Sequence, residues 1–221
     1  MRSQPFTTEV SMKGYLVLFI MAVTCLFSSI AYAEDNYAVT GQLLIAAGRA
    51  VPISDADDPL VKLYVHGTYM TDVRSSTSVL FGYAGPQFDL GYGMTLSLLG
   101  GSYMTTGGGA SALGSVWFEK RELFADWLTL FAEVDGYYPL DTGEKPHTEK
   151  EMYLYGTLFA KVGAETSVGI ITEHFVSETL YCEQAFGPAV AVGNFTIWAG
   201  YDFTPEDDAT NLYMMRAALA L

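Results

Sequence analysis

Cysteine is nearly missing from this 221-residue chain: there are two, Cys25 and Cys182, and they form no C-x-x-C pair. The three histidines, His66, His147 and His174, are scattered, so the residues that would close a structural zinc site are not there. Basic side chains are also few. Eleven Lys and Arg stand against 25 Asp and Glu, a formal net charge of −14, and a chain so acidic repels a phosphate backbone. Nucleic acid is thereby excluded as a partner. Disorder is excluded as well, because 50% of the residues are hydrophobic and 14% aromatic. Long apolar runs are scarce too. The one exception, Tyr15 to Phe27, is 13 residues interrupted by Thr24, short of the roughly 20 a membrane-spanning helix needs.

That run has the layout of an export signal. Lys13 precedes it, and small residues follow, ending in Ala31, Tyr32 and Ala33 ahead of the acidic pair Glu34 and Asp35. Cleavage after Ala33 is expected, with Met12 a better start than Met1. The residues before Cys25 (Ala22, Val23, Thr24) do not have the pattern of a lipoprotein signal. The mature chain, residues 34–221, then has the length of one domain, and its remaining Cys182 cannot form an intrachain disulfide.

What fills the rest of the chain is alternation with period two. From Phe88, the residues Phe88, Leu90, Tyr92, Met94, Leu96 and Leu98 share one face, with Asp89, Gly91, Gly93, Thr95 and Ser97 on the other. From Trp127, Leu128, Leu130, Ala132 and Val134 alternate with Thr129, Phe131, Glu133 and Asp135. From Glu151, Met152, Leu154, Leu158, Ala160 and Val162 stand opposite Tyr153, Tyr155, Thr157, Phe159 and Lys161. Further strands are expected over 61–73, 77–83, 111–118, 167–174, 189–203, 37–46 and 211–221. Turn-like stretches separate them, GRAVPISDADDP, SYMTTGGGA and VSETLYCEQAFGP among them. The segment from Glu119, EKRELFADWLTLF, is compatible with a short amphipathic helix, but alternation continuing to Tyr138 favours strand.

The polar faces are unusual for a soluble sandwich, whose outward face is rich in charge. Here they hold Gly, Ser, Thr and Tyr with isolated Glu, Asp or Lys. A narrow membrane barrel inverts the pattern, with aliphatics toward lipid and small or polar residues inside. Aromatics such as Tyr64, Tyr69, Tyr92, Tyr103, Trp117, Trp127, Tyr137, Tyr138, Tyr153, Trp198 and Tyr201 are candidates for the interfacial girdles of such a barrel. Tyr213, Met215, Ala217, Leu219 and Leu221 alternate to the last residue, which resembles the C-terminal recognition strand of bacterial outer-membrane barrels, although those usually end in Phe. The resemblance implies an all-β, antiparallel transmembrane β-barrel in the outer membrane of a Gram-negative bacterium. Outer-membrane lipids and the barrel assembly machinery would be its partners. An even strand number is expected, eight with ten as the alternative, and eight strands enclose an interior just filled by side chains.

In that frame Lys62, Glu133, Asp135, Lys161 and Arg216 form a candidate ionic network inside the barrel, since a charge there needs a partner. A structural or surface-interaction role without chemistry follows. Two alternatives stay open: a lipid-modifying or small-solute-handling barrel, and a soluble periplasmic sandwich or lipocalin-like carrier. For a lipid-modifying enzyme the nearest constellation is TEHFVSE, with His174, Ser177 and Glu178, but His and Ser three apart on a strand face opposite sides. Gly107 to Gly109 lack the lysine and hydroxyl of a phosphate loop. The acidic stretches at 54–58 and 205–208 lack the ligand spacing of an EF-hand. No cofactor and no metal is expected.

Overall fold

A computed structural model describes residues 38–53, 60–72, 78–106, 108–140, 150–177, 182–202 and 212–221. The expected signal segment and its cleavage site, Glu178, His147 and the acidic stretches at 54–58 and 205–208 lie outside them. Eleven strands run in chain order: β1 (Ala38–Pro52), β2 (Val61–Asp72), β3 (Ser78–Gly91), β4 (Met94–Thr105), β5 (Ala110–Lys120), β6 (Leu128–Pro139), β7 (Glu151–Lys161), β8 (Thr166–Ser177), β9 (Cys182–Val192), β10 (Phe195–Asp202) and β11 (Leu212–Ala220). Each pairs antiparallel with the next, and β1 pairs parallel with β11 from Ala38↔Leu212 to Ala46↔Ala220, closing the barrel.

The closed, almost wholly antiparallel barrel agrees with the sequence. The strand number does not: it is eleven, neither eight nor ten. Two features of the sequence hide strands. The run from Phe88 to Leu98 is not one strand but the end of β3, a two-residue turn at Tyr92 and Gly93, and the start of β4. A β-bulge between Asp89 and Gly91 shifts the register there, so the large residues stay in phase across the turn and the sequence reads as unbroken. The backbone at Gly91, Tyr92 and Gly93 is left-handed, with φ of 78°, 51° and 70°, and the Gly91 amide donates to Asp89 Oδ1 at 2.9 Å. The second hidden element is β9, whose sequence CEQAFGPAVAV begins in what reads as loop.

Proline is tolerated inside β3 and β9 because one neighbouring ladder is interrupted at that point. Pro86 pairs with Leu63 of β2, but the β3–β4 register skips from Ala84↔Gly100 to Gln87↔Ser97. Pro188 likewise faces Ile170 of β8, while the β9–β10 register skips from Trp198↔Ala189 to Tyr201↔Phe186. A proline has no amide to offer a second ladder. In both places the preceding glycine is required by close approach: a Cβ on Gly85 would strike the Leu98 carbonyl, and one on Gly187 the Ala199 carbonyl. The two hairpins therefore share a plan, Gly-Pro, three alternating residues or more, a two-residue turn, and a return strand.

Smaller differences follow from the same physics. β1 extends to Pro52, well past Ala46. The stretch from Glu119 is neither helix nor continuous strand: β5 ends at Lys120, residues 121–127 turn, and β6 begins at Leu128. Among the described residues no helix is long and apolar enough to cross a membrane, which says nothing about strands.

Alternation assigns every strand an inner and an outer face. Outward positions carry the exposed aliphatics, among them Leu63, Val65, Leu80, Leu98, Val116, Val134, Val168, Ile170 and Val190. Among the strand residues with described side chains, the only Lys or Arg at an outward position are Arg49 and Lys120, at the same end of the barrel, and no Asp or Glu faces outward. The inner face is packed unevenly. Tyr83, Leu99, Tyr103, Leu113 and Tyr137 fill the side formed by β3 to β6, while Ile171, Ala185, Ala189 and Trp198 pack on the side of β8 to β10. Of the girdle candidates, Tyr64, Tyr103, Trp117, Tyr137, Tyr153 and Trp198 belong to this interior instead. Tyr69 and Tyr138 face outward near one end, and Tyr92 and Trp127 are exposed at the other.

Candidate functional site

The interior is not filled. Eleven strands enclose more space than eight, and a cavity of about 450 Å³ remains between the two packed sides. A second space of about 300 Å³ adjoins it, the two sharing Phe131, Tyr155, Arg216 and Ala218.

Carboxylates and rings make the wall. Glu133 on β6 is cross-strand to Trp117 of β5 on one side and to Tyr155 of β7 on the other, so all three project inward at one level. Trp117 is the centre of an aromatic cluster, with ring centroids 4.8 Å from His66, 5.4 Å from Tyr83, 5.7 Å from Tyr64 and 5.8 Å from Phe131. Phe131 continues the belt to Tyr155 at 6.1 Å. The Trp117 indole N–H lies beside Glu133 but makes no well-aligned hydrogen bond.

Asp135, one turn of the pleat further along β6, is 1% exposed. Ser115 donates its hydroxyl to Oδ1, and Tyr83 and Tyr137 donate to Oδ2 at 3.2 and 3.1 Å. Three hydroxyl donors satisfy this carboxylate without a cation. Glu173 on β8 is held differently. Arg216 of β11 reaches it with two N–H groups, Nη1 to Oε1 and Nη2 to Oε2, the latter at 3.2 Å. Tyr153 donates to Glu173 Oε1 at 2.5 Å. The same guanidinium donates from Nε to Gln42 Oε1 at 2.9 Å and lies 5.1 Å from the centre of the Trp198 ring. It is a planar, forked group used on all its edges and one face.

His66 lies in the wall with Nε2 2.7 Å from Thr68 Oγ1 and Nδ1 3.3 Å from the Tyr64 hydroxyl. Among the described residues lining the larger cavity, Arg216 is the one Lys or Arg, against the carboxylates Glu133, Asp135 and Glu173.

Of the candidate ionic network, then, Glu133, Asp135 and Arg216 do line one cavity. Lys62 and Lys161 do not join them. Lys62 is the second residue of β2 and Lys161 the last of β7, both at the end of the barrel where Arg49 and Lys120 lie. Lys161 is exposed and six positions along β7 from Tyr155, the neighbour of Glu133, a separation of about 20 Å at the rise of a strand. The partner of Arg216 is Glu173, which the sequence reading passed over. It occupies the same alternating face as Ser167, Gly169 and Ile171, so the period-two rule that identified the other acids would have found it.

Of the hydrolase candidates, only His174 has a described side chain. His174 faces outward and bonds Thr172 Oγ1 through Nε2 at 2.9 Å, whereas Ser177 is the last residue of β8 and its side chain, like Glu178, lies outside the description. Cys182 is the first residue of β9, and its side chain lies outside the description. In β11, Met215, Ala217 and Leu219 lie on the face opposite Arg216, where Met215 and the fully buried Ala217 form an apolar cluster with Leu43, Phe195 and Ile197. Tyr213 has no described side chain, and Leu221 follows the strand, its amide donating to the Ala46 carbonyl at 2.8 Å. No group of three or more His, Cys, Asp or Glu suited to a metal ion occurs among the described residues.

Comparison with protein-family models, with curated proteins and with solved structures found no match to this chain.

Proposed function

We propose that this chain is a membrane-spanning β-barrel of a bacterial outer membrane, without a catalytic role, whose interior handles a small solute. The outward face supports the first part: among the described side chains it is mainly aliphatic and aromatic, and its only Lys or Arg are Arg49 and Lys120 near one end. A soluble barrel would expose a row of charges on that face to water, and a bilayer would tolerate none at mid-height. Strand length fits, since ten of the eleven strands have nine or more residues, and about 9–11 are needed for a tilted strand to cross.

The cavity favours solute handling over a purely structural role. At about 450 Å³ it falls in the range of about 300–1,000 Å³ typical of small-molecule sites, and it has their make-up, mostly rings with a few aimed polar groups. Cell fractionation tests the membrane assignment. The protein is expected in the outer membrane, resistant to salt wash, and running faster on a gel before boiling than after. Release in soluble form by osmotic shock would defeat this reading and favour a periplasmic carrier.

A further inference from the structure

We propose that the barrel interior binds a small organic cation, its charge against Glu133 and Asp135 and its apolar body against the rings of Trp117, Tyr83, Phe131 and Tyr155. The inference rests on the solute-handling reading of the interior and adds the chemical class of the solute.

Charge complementarity comes first. Arg216 is already engaged by both oxygens of Glu173 and by Gln42. No ion pair reaches Glu133 or Asp135 among the described residues. Asp135 is satisfied by hydroxyl donors, whereas Glu133 has for neighbours Asp135 and the misaligned indole of Trp117. The wall therefore presents the Glu133 and Asp135 carboxyl groups side by side, with no Lys or Arg of the described residues against either.

The rings decide which cation. Glu133 is flanked across both ladders by aromatic residues, Trp117 and Tyr155, and Trp117 contacts four more rings within 6 Å. Aromatic faces carry negative quadrupole density and attract ammonium or quaternary nitrogen, most strongly where water is excluded. A calcium or magnesium ion is a poor fit, because it needs about six oxygen ligands and the Asp135 oxygens are already turned toward hydroxyl donors. An anion would meet the carboxylates. A neutral apolar solute would gain nothing from the two carboxyl groups.

The test uses the full chain folded in detergent micelles, with folding checked by gel mobility before and after boiling. Two probes of nearly equal size are titrated calorimetrically at neutral pH, 2-phenylethylammonium and 2-phenylethanol. The ammonium is expected to bind at least tenfold more tightly than the alcohol. Glu133→Gln keeps the side-chain volume and should remove most of that preference. Trp117→Leu should weaken ammonium binding by about 2- to 30-fold, the span of a cation–π contribution. Equal affinities for the two probes overturn the cation assignment while leaving a solute site. Binding of neither overturns the assignment and the solute-handling reading together. An ammonium preference untouched by Glu133→Gln overturns the placement. Should Glu133→Gln not reach the folded form, the two-probe comparison on the unaltered chain decides alone.

Discussion

At the residue scale the centre of the barrel depends on one guanidinium. Arg216 and Glu173 are nearly withdrawn from solvent, with side chains 11% and 9% exposed, and removing one member of such a pair strands the other. Arg216→Met is expected to destabilise the fold by roughly 3–5 kcal/mol, read from urea titrations in micelles. Adding Glu173→Gln should restore part of the loss, with a coupling of at least about 1 kcal/mol, and strict additivity would show that the pair contributes nothing. The opposite holds for Glu133 and Lys161. Lys161 stands exposed at the mouth, so Glu133→Gln and Lys161→Met should combine additively within about 0.5 kcal/mol. Period two made Glu133, Asp135 and Arg216 legible as interior residues. It could not say which acid each base meets, because β8 and β11 are not neighbours and Arg216 crosses from one to the other.

At the element scale, long alternating strands such as β6 and β7 were readable, and strand ends were not. A hairpin with a two-residue turn leaves no polar gap, and the bulge at Asp89 to Gly91 keeps the apolar phase across the β3–β4 turn. Glycine and proline in β9 looked like loop composition because their compensation, an interrupted ladder to β10, exists only in the folded sheet. The recurrence of Gly-Pro in β3 and β9 makes a prediction. Gly85→Ala and Gly187→Ala each push a Cβ against a partner-strand carbonyl, and each should cost about 1–3 kcal/mol, as overpacking does. Gly114→Ala on β5, where a Cβ meets nothing within 4 Å, is the matched control and should leave the urea midpoint unchanged or slightly higher, since alanine restricts the unfolded chain. Equal losses at all three positions would mean that glycine acts there through strand propensity alone.

For the whole molecule, the parity of the strand count fixes where the chain ends. With all consecutive pairs antiparallel, an even number closes antiparallel and brings the first strand's start and the last strand's end to the same rim. Eleven strands close parallel and separate them: Ala38 enters at the rim where β4 ends and β5 begins, while β11 leaves at the rim that holds the 121–127 turn. Sequence alternation cannot report this, because it gives each strand a face and no neighbour. A ten-strand barrel would arise from the same chain if β2 paired directly with β11 and β1 were left out, so the β1–β11 seam is the place to test closure. Leu43 and Ala217 are register partners there, packed in one apolar cluster on the face opposite Gln42 and Arg216. Neighbouring strands lie about 4.8 Å apart, within the Cα separation of about 4.4–6.8 Å that a disulfide accepts. In a chain freed of Cys25 and Cys182, Leu43→Cys with Ala217→Cys should therefore cross-link on mild oxidation of the folded protein, giving a species whose gel mobility changes on reduction. Leu43→Cys with Leu219→Cys is two positions out of register, about 8 Å apart by the same strand dimensions, and should link far more slowly. Efficient linking of the second pair would shift the register of the seam. Failure of both, with β2 cysteines linking to β11 in their stead, would remove β1 from the wall and return the barrel to an even number.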